Sequence, residues 1–143
     1  MLFIPKFSKF KKSFRAKPIK RIYKKIDHPS IINGNIGLKI LSSGLMSSDQ
    51  LQAVRQVINK IIKKIGKIQF FAFPNATVSK KSSGSRMGKG KGGKNSWVCK
   101  LQPGFMFCVI NTSLINVAKR ALKAAQFRMP VATKIVINNF NES

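Results

Sequence analysis

Apolar residues recur along this chain in two periods, and the switches between them outline the fold. Ile36 to Leu41 is a short strand, followed by a Ser/Gly turn at Ser42 to Gly44. Leu51, Val54, Ile58, Ile61, Ile62 and Ile65 then continue a helical apolar face. Ser47-Ser48-Asp49-Gln50 ahead of them has the S-x-x-Q form of a capping box, so the spacing predicts a helix that stops at Gly66. Ile68 to Phe73 reads as a strand ended by Pro74. From Asn75 to Asn95 no apolar period survives, and glycine, serine and lysine predict a long loop over 75–95. Trp97 to Leu101 and Phe105 to Ile110 flank the turn residues Gln102-Pro103-Gly104, which predicts a hairpin. With Asn111 or Thr112 as cap, Leu114, Ile115, Ala118, Ala121, Leu122 and Ala125 outline a second helix that ends before Pro130. Val131, Thr133, Ile135 and Ile137 alternate as a last strand. The order predicts an α+β two-layer sandwich, a mostly antiparallel sheet with two helices on one face. The domain spans 31–143 and follows an arm over 1–30.

That arm changes the picture. Lys6, Lys9, Lys11, Lys12, Arg15, Lys17, Lys20, Arg21, Lys24 and Lys25 crowd its first 25 residues with no acid among them. Phe3, Phe7, Phe10 and Phe14 recur at spacings of four, three and four, which on a helix form an apolar stripe. Composition leaves two readings open. A cationic, aromatic-striped start suits an organelle transit peptide or an interfacial membrane helix. It equally suits an RNA arm whose lysines reach phosphates while the phenylalanines stack on bases or pack on the protein's own body.

Charge then decides the class of partner. The 143 residues carry 28 lysines and arginines against three acids, for a net charge of +25. Such a field repels itself, and an anionic partner that neutralises it stabilises the fold. Nucleic acid does so with counterion release. A membrane span would need an apolar run of roughly 18 residues, which the sequence lacks. Asp27, Asp49 and Glu142 lie too far apart along the chain to suggest paired-carboxylate chemistry or a carboxylate metal site. His28, beside Pro29, reads as a surface imidazole, and Cys99 and Cys108 read as small reduced core residues without zinc-site spacing. No cofactor and no homo-oligomer is expected. Arg55, Lys60, Lys63 and Lys64 lie mostly off the apolar face of the first helix, a second surface available to phosphates.

Arg86-Met87-Gly88-Lys89-Gly90-Lys91-Gly92-Gly93-Lys94 is the most unusual stretch. It nearly completes the nucleotide-cradling G-x-x-x-x-G-K-[ST] pattern, but Asn95 replaces the magnesium-binding hydroxyl, and the flanking elements are wrong for that fold. What remains is glycine that permits close approach and positive φ, interleaved with cations placed for crowded phosphates.

Several segments together resemble the ribosomal protein L-sixteen family of bacteria and organelles. They are M-L-x-x-P-K at Met1 to Lys6, G-L-K at Gly37 to Lys39, G-K-I at Gly66 to Ile68 and F-P at Phe73-Pro74. R-M-G-K-G-K-G at Arg86 to Gly92 carries the most weight, followed by W-V at Trp97-Val98 and Q-P-G at Gln102 to Gly104. The likeness runs from the first residue to about Ile137. It implies a non-catalytic protein of the large ribosomal subunit, bound to large-subunit rRNA near the aminoacyl-tRNA, with other large-subunit proteins as neighbours. On that resemblance Lys6, Lys9, Lys11 and Lys12 are embedded in RNA, and Arg15, Lys17, Lys20, Arg21, Lys39, Arg55, Lys60 and Lys63 extend the rRNA-binding set. Arg86, Met87, Gly88, Lys89, Gly90, Lys91, Gly92 and Lys94 form a loop toward the peptidyl-transferase region. Departures are Ser42 to Leu45 where the family is arginine-rich, Phe71 in place of a basic residue, and no acid near Cys108. Met1 to Lys6 aligns with the family's own start, so the arm is expected to be part of the working protein and not a cleaved presequence. Richness in Lys, Ile, Asn and Phe points first to a mitochondrial ribosome in the matrix, then to plastid or bacterial ones.

Overall fold

A computed structural model describes residues 3–10, 12–14, 16–18, 36–88 and 90–137. Seven strands and two helices follow in the order β1 (Ile36–Ile40), β2 (Gly44–Ser47), α1 (Ser48–Ile62), β3 (Gly66–Phe70), β4 (Ala76–Lys80), β5 (Gly93–Leu101), β6 (Met106–Thr112), α2 (Ile115–Gln126) and β7 (Thr133–Ile137). The α+β sandwich expected from the pattern is present, with its strands divided into two antiparallel sheets. One has the order β3-β6-β1-β7 and the other β2-β5-β4. The helices pack on each other, α1 also over β2 and β5, α2 over β1, β6 and β7. A single apolar layer therefore serves both sheets, with Leu38, Met46, Leu51, Ile58, Leu101, Phe107, Ile110 and Leu122 fully buried. Pooling the core in this way lets two small sheets share the burial that neither could supply alone.

Helix α1 starts where the capping box predicts. The Gln50 amide donates to Ser47 Oγ at 3.2 Å, and the Ser47 amide donates back to Gln50 Oε1 at 3.0 Å. It ends earlier than the apolar face suggests, at Ile62, and Ile65 is left exposed. Lys63 closes the helix at φ 51°, ψ −118°, a backbone region that favours glycine, and Gly66 opens β3 instead of capping α1. Strand β3 stops at Phe70, short of Pro74, and β7 begins at Thr133.

Three expectations fail for tertiary reasons. Gln102-Pro103-Gly104 does turn, with the Phe105 amide donating to the Gln102 carbonyl at 3.2 Å, but it joins two sheets and makes no hairpin. The Gly104 amide donates to the Ile40 carbonyl at 2.7 Å, so the corner is anchored on β1. Asn111 and Thr112 are strand residues, and no side chain caps α2; the Thr112 hydroxyl accepts from the Leu114 amide at 3.2 Å, one step before the helix. The loop over 75–95 contracts to 81–92, because Ala76–Lys80 pairs with the first half of β5. Strand β2 also escaped the sequence pattern, being four residues long and next to a Ser/Gly turn.

Cys99 and Cys108 are free and buried. Desolvation of the thiolate pushes Cys99 up to about 11 and Cys108 up to about 12 from an ordinary 9.0, against weaker lowering by backbone hydrogen bonds. Both values are raised above those of the unfolded chain, so the stability they contribute is complete below pH 9.0 and is lost as pH climbs through about 11 and 12. Native chain is expected to resist iodoacetamide at about pH 8, where unfolded chain is alkylated twice. Rapid labelling of the folded form would place a thiol at the surface.

Candidate nucleic-acid interface

The described residues of the arm form no helix, so the predicted phenylalanine stripe is not presented as one amphipathic face. The arm instead follows the body. Phe3 packs edge-on to Phe70 at 6.0 Å, and Phe70 packs edge-on to Phe107 at 5.8 Å, continuing the core outward. The Arg55 guanidinium stands 5.3 Å over the Phe3 ring, a cation–π contact that ties the start of the arm to α1. Phe7, Phe10 and Phe14 stay exposed.

Farther along, the arm meets the edge strand β4. The Ser13 amide donates to Thr77 Oγ1 at 3.1 Å, the Thr77 amide donates to Ser13 Oγ at 3.3 Å, and the two hydroxyls lie 2.9 Å apart. These reciprocal bonds engage the outer side of β4, an edge that would otherwise be open to pairing. The arm and the glycine-rich loop also interlock. The Lys12 ammonium donates to the Lys91 carbonyl at 3.0 Å, and the Lys91 ammonium donates to the Ser13 carbonyl. Two regions about 80 positions apart in sequence thus form one cationic edge.

Within the loop, Gly88 and Gly90 take φ of +89° and +84°, as the glycine spacing implies. The Lys81 ammonium donates to the Gly88 carbonyl and Ser82 Oγ lies 2.7 Å from Ser85 Oγ, so the loop folds back on its own base. At that base a Cβ on Gly92 would sit 2.5 Å from the Lys80 carbonyl carbon and oxygen, so only glycine lets the two sides close. Arg86, Met87 and Lys91 are exposed. Lys94 is exposed too, its ammonium 5.1 Å over the Trp97 ring.

The other predicted cations are dispersed. Lys6, Lys9 and Lys17 are exposed along the arm, and Lys60 and Lys63 are exposed toward the end of α1. Lys39 lies on β1 directly opposite Lys134 of β7. Opposed like charges repel, and an anion shared between them would relieve the repulsion. Asp49 is the one acid among the described residues, in the first turn of α1 where the helix dipole favours it. Lys11, Arg15, Lys20, Arg21 and Lys89 lie outside the described residues, as do Asp27, His28 and Glu142. No group of three metal-ligating side chains occurs among the described residues, and no helix there is long and apolar enough to cross a membrane. Sequence inspection missed Ser13, Thr77 and Lys81, because small hydroxyls and one more lysine carry no local signal of a distant partner.

Comparison with known proteins accounts for this basic, acid-poor architecture. Residues 5–136 match the family described as Ribosomal protein L16p/L10e. The chain is similar to "Large ribosomal subunit protein uL16c" of Euglena longa, 35% identical over 135 residues, covering 94% of this chain and 98% of the relative. It is likewise similar to "Large ribosomal subunit protein uL16" of Maricaulis maris (strain MCS10), 37% identical over 133 residues, covering 92% of this chain and 94% of the relative. With the match extending over arm, loop and both sheets, the chain belongs to the ribosomal protein L16p/L10e family and is a structural ribosomal protein, not an enzyme.

Proposed function

We propose that the chain is a structural constituent of the large ribosomal subunit, bound to large-subunit rRNA, with its loop supporting the aminoacyl-tRNA site near the peptidyl-transferase region. The observation that carries this reading is the interlock of Lys12 and Lys91, which joins arm and loop into one cationic edge on a body whose described residues hold a single acid. Phosphates entering that edge release counterions and relieve the self-repulsion of a chain with net charge +25. The edge, with Lys91 in it, holds the RNA, while the exposed Arg86 between β4 and β5 is turned to tRNA in this reading. Other large-subunit proteins are its neighbours; neither membrane insertion nor a homo-oligomer is part of the reading. The Lys-, Ile-, Asn- and Phe-rich composition favours a mitochondrial ribosome in the matrix.

The test is sedimentation of mitochondrial extract after a high-salt wash. The chain is expected to travel with large subunits, and recovery mainly as free protein or on membranes would overturn the reading. Within assembled ribosomes, Lys89→Ala with Lys91→Ala is expected to slow tRNA accommodation or late assembly, while the free protein loses no more than about 0.5 kcal/mol, since exposed positions contribute little to stability. Equal losses of thermal stability and translation would show that the loop serves the fold.

A further inference from the structure

Between the arm and the three-stranded sheet lies a cavity of about 640 Å³, lined among others by Lys9, Phe10, Lys12, Phe14, Lys91 and Trp97. Its size falls within the range of small-ligand sites, roughly 300–1,000 Å³. Phe10 and Phe14 are 71% and 96% exposed, so their rings stand at the mouth largely uncovered by protein. Lys9, Lys12 and Lys91 line the same cavity, the Lys9 ammonium 5.6 Å over one face of the Phe10 ring, and the hydrogen bonds of Lys12 and Lys91 each use one donor of three. No acid is found among the described residues that line the cavity. At its inner wall Trp97 is 7% exposed, and its indole N–H has no acceptor among the described residues.

Exposed aromatic faces and cations in one cavity match two parts of a nucleotide, a flat base and a phosphate. A fully paired duplex would use only the cations. We infer that this cavity receives a single unpaired RNA nucleotide, its base against Phe10 and Phe14 and its phosphate among Lys9, Lys12 and Lys91. The inference rests on the arm being RNA-bound and adds to it a base-accepting site.

Trp97 is the only tryptophan, so its emission reports on the cavity. The full chain is titrated at fixed salt with three RNAs of one sequence: a paired duplex, the duplex with a one-nucleotide bulge, and the same bulge made abasic. The bulge is expected to bind about tenfold more tightly than its abasic form, in line with the cost of losing one stacked base, and to change Trp97 emission saturably. Phe10→Ala with Phe14→Ala should erase that advantage and leave duplex affinity unchanged; both rings are exposed, so folding is not at risk. Equal binding of bulge and abasic bulge with unaltered emission would overturn the site while leaving phosphate binding intact. Retention of the tenfold preference by the double variant would overturn the placement of the base. Failure to bind any of the three would overturn the RNA reading together with the site.

Discussion

Replacing Phe107 by alanine is expected to destabilise the free protein by about 3–5 kcal/mol, a large part of the roughly 5–15 kcal/mol available to a domain of this size. Phe107 is fully buried on β6, in the layer that both sheets share, and its ring meets Phe70 at 5.8 Å. Truncation would remove its transfer energy and leave a void that the flanking strands cannot close, since β6 is held by β1 on one side and β3 on the other. The loss should also travel outward, because Phe70 carries Phe3 and Phe3 carries Arg55. Urea unfolding should therefore show a lower midpoint, and trypsin should cut the arm sooner. Phe127→Ala is the control. That ring is 83% exposed, and its removal should change stability by no more than about 0.5 kcal/mol. Similar costs at the two positions would mean that the core is not where the structure puts it.

Exchanging Lys6, Lys9, Lys12 and Lys17 for glutamine should have the largest effect on RNA binding. All four are exposed on the arm, and each that neutralises a phosphate should add about 0.9 to the slope of log affinity against log salt. Removing them is expected to flatten the slope by that amount per contact and to weaken binding roughly tenfold per contact at about 50 mM salt, with little difference left near 1 M. Filter binding of large-subunit rRNA fragments across a salt series measures both quantities. Free-protein stability should hold or rise, since the substitution relieves like-charge repulsion and gives up two exposed contacts, the Lys12 bond and the Lys9 ammonium over the Phe10 ring. Parallel salt lines for parent and variant would show that the arm does not lie on phosphates.

The two outcomes depend on different kinds of information in the chain. By itself the sequence determined the partner class, because 28 cations against three acids demand an anion wherever they fold. It also determined features set by neighbours in the chain. The Ser47 to Gln50 box starts α1, the apolar periods hold from Leu51 to Ile62 and from Ala118 to Ala125 while Ile65, Leu114 and Ile115 are exposed, and the glycines at 88 and 90 take positive φ. Each depends on contacts within a few residues, which local pattern records.

Only the tertiary structure decided which strands pair. Met106–Thr112 follows Gly93–Leu101 across a tight turn, yet the two belong to different sheets, because burying both inner faces under α1 and α2 outweighs the short connection. Polar Ala76–Lys80 becomes a strand because β5 offers it a ladder and the arm covers its other edge, neither of which its own composition reveals. The same holds for the phenylalanines. Phe107 and Phe14 are identical in sequence terms and differ only in what the fold brings against them, one enclosed by the core and the other left uncovered at the mouth of the cavity. Burial and encounter between distant segments depend on the whole chain's packing, which no local window contains.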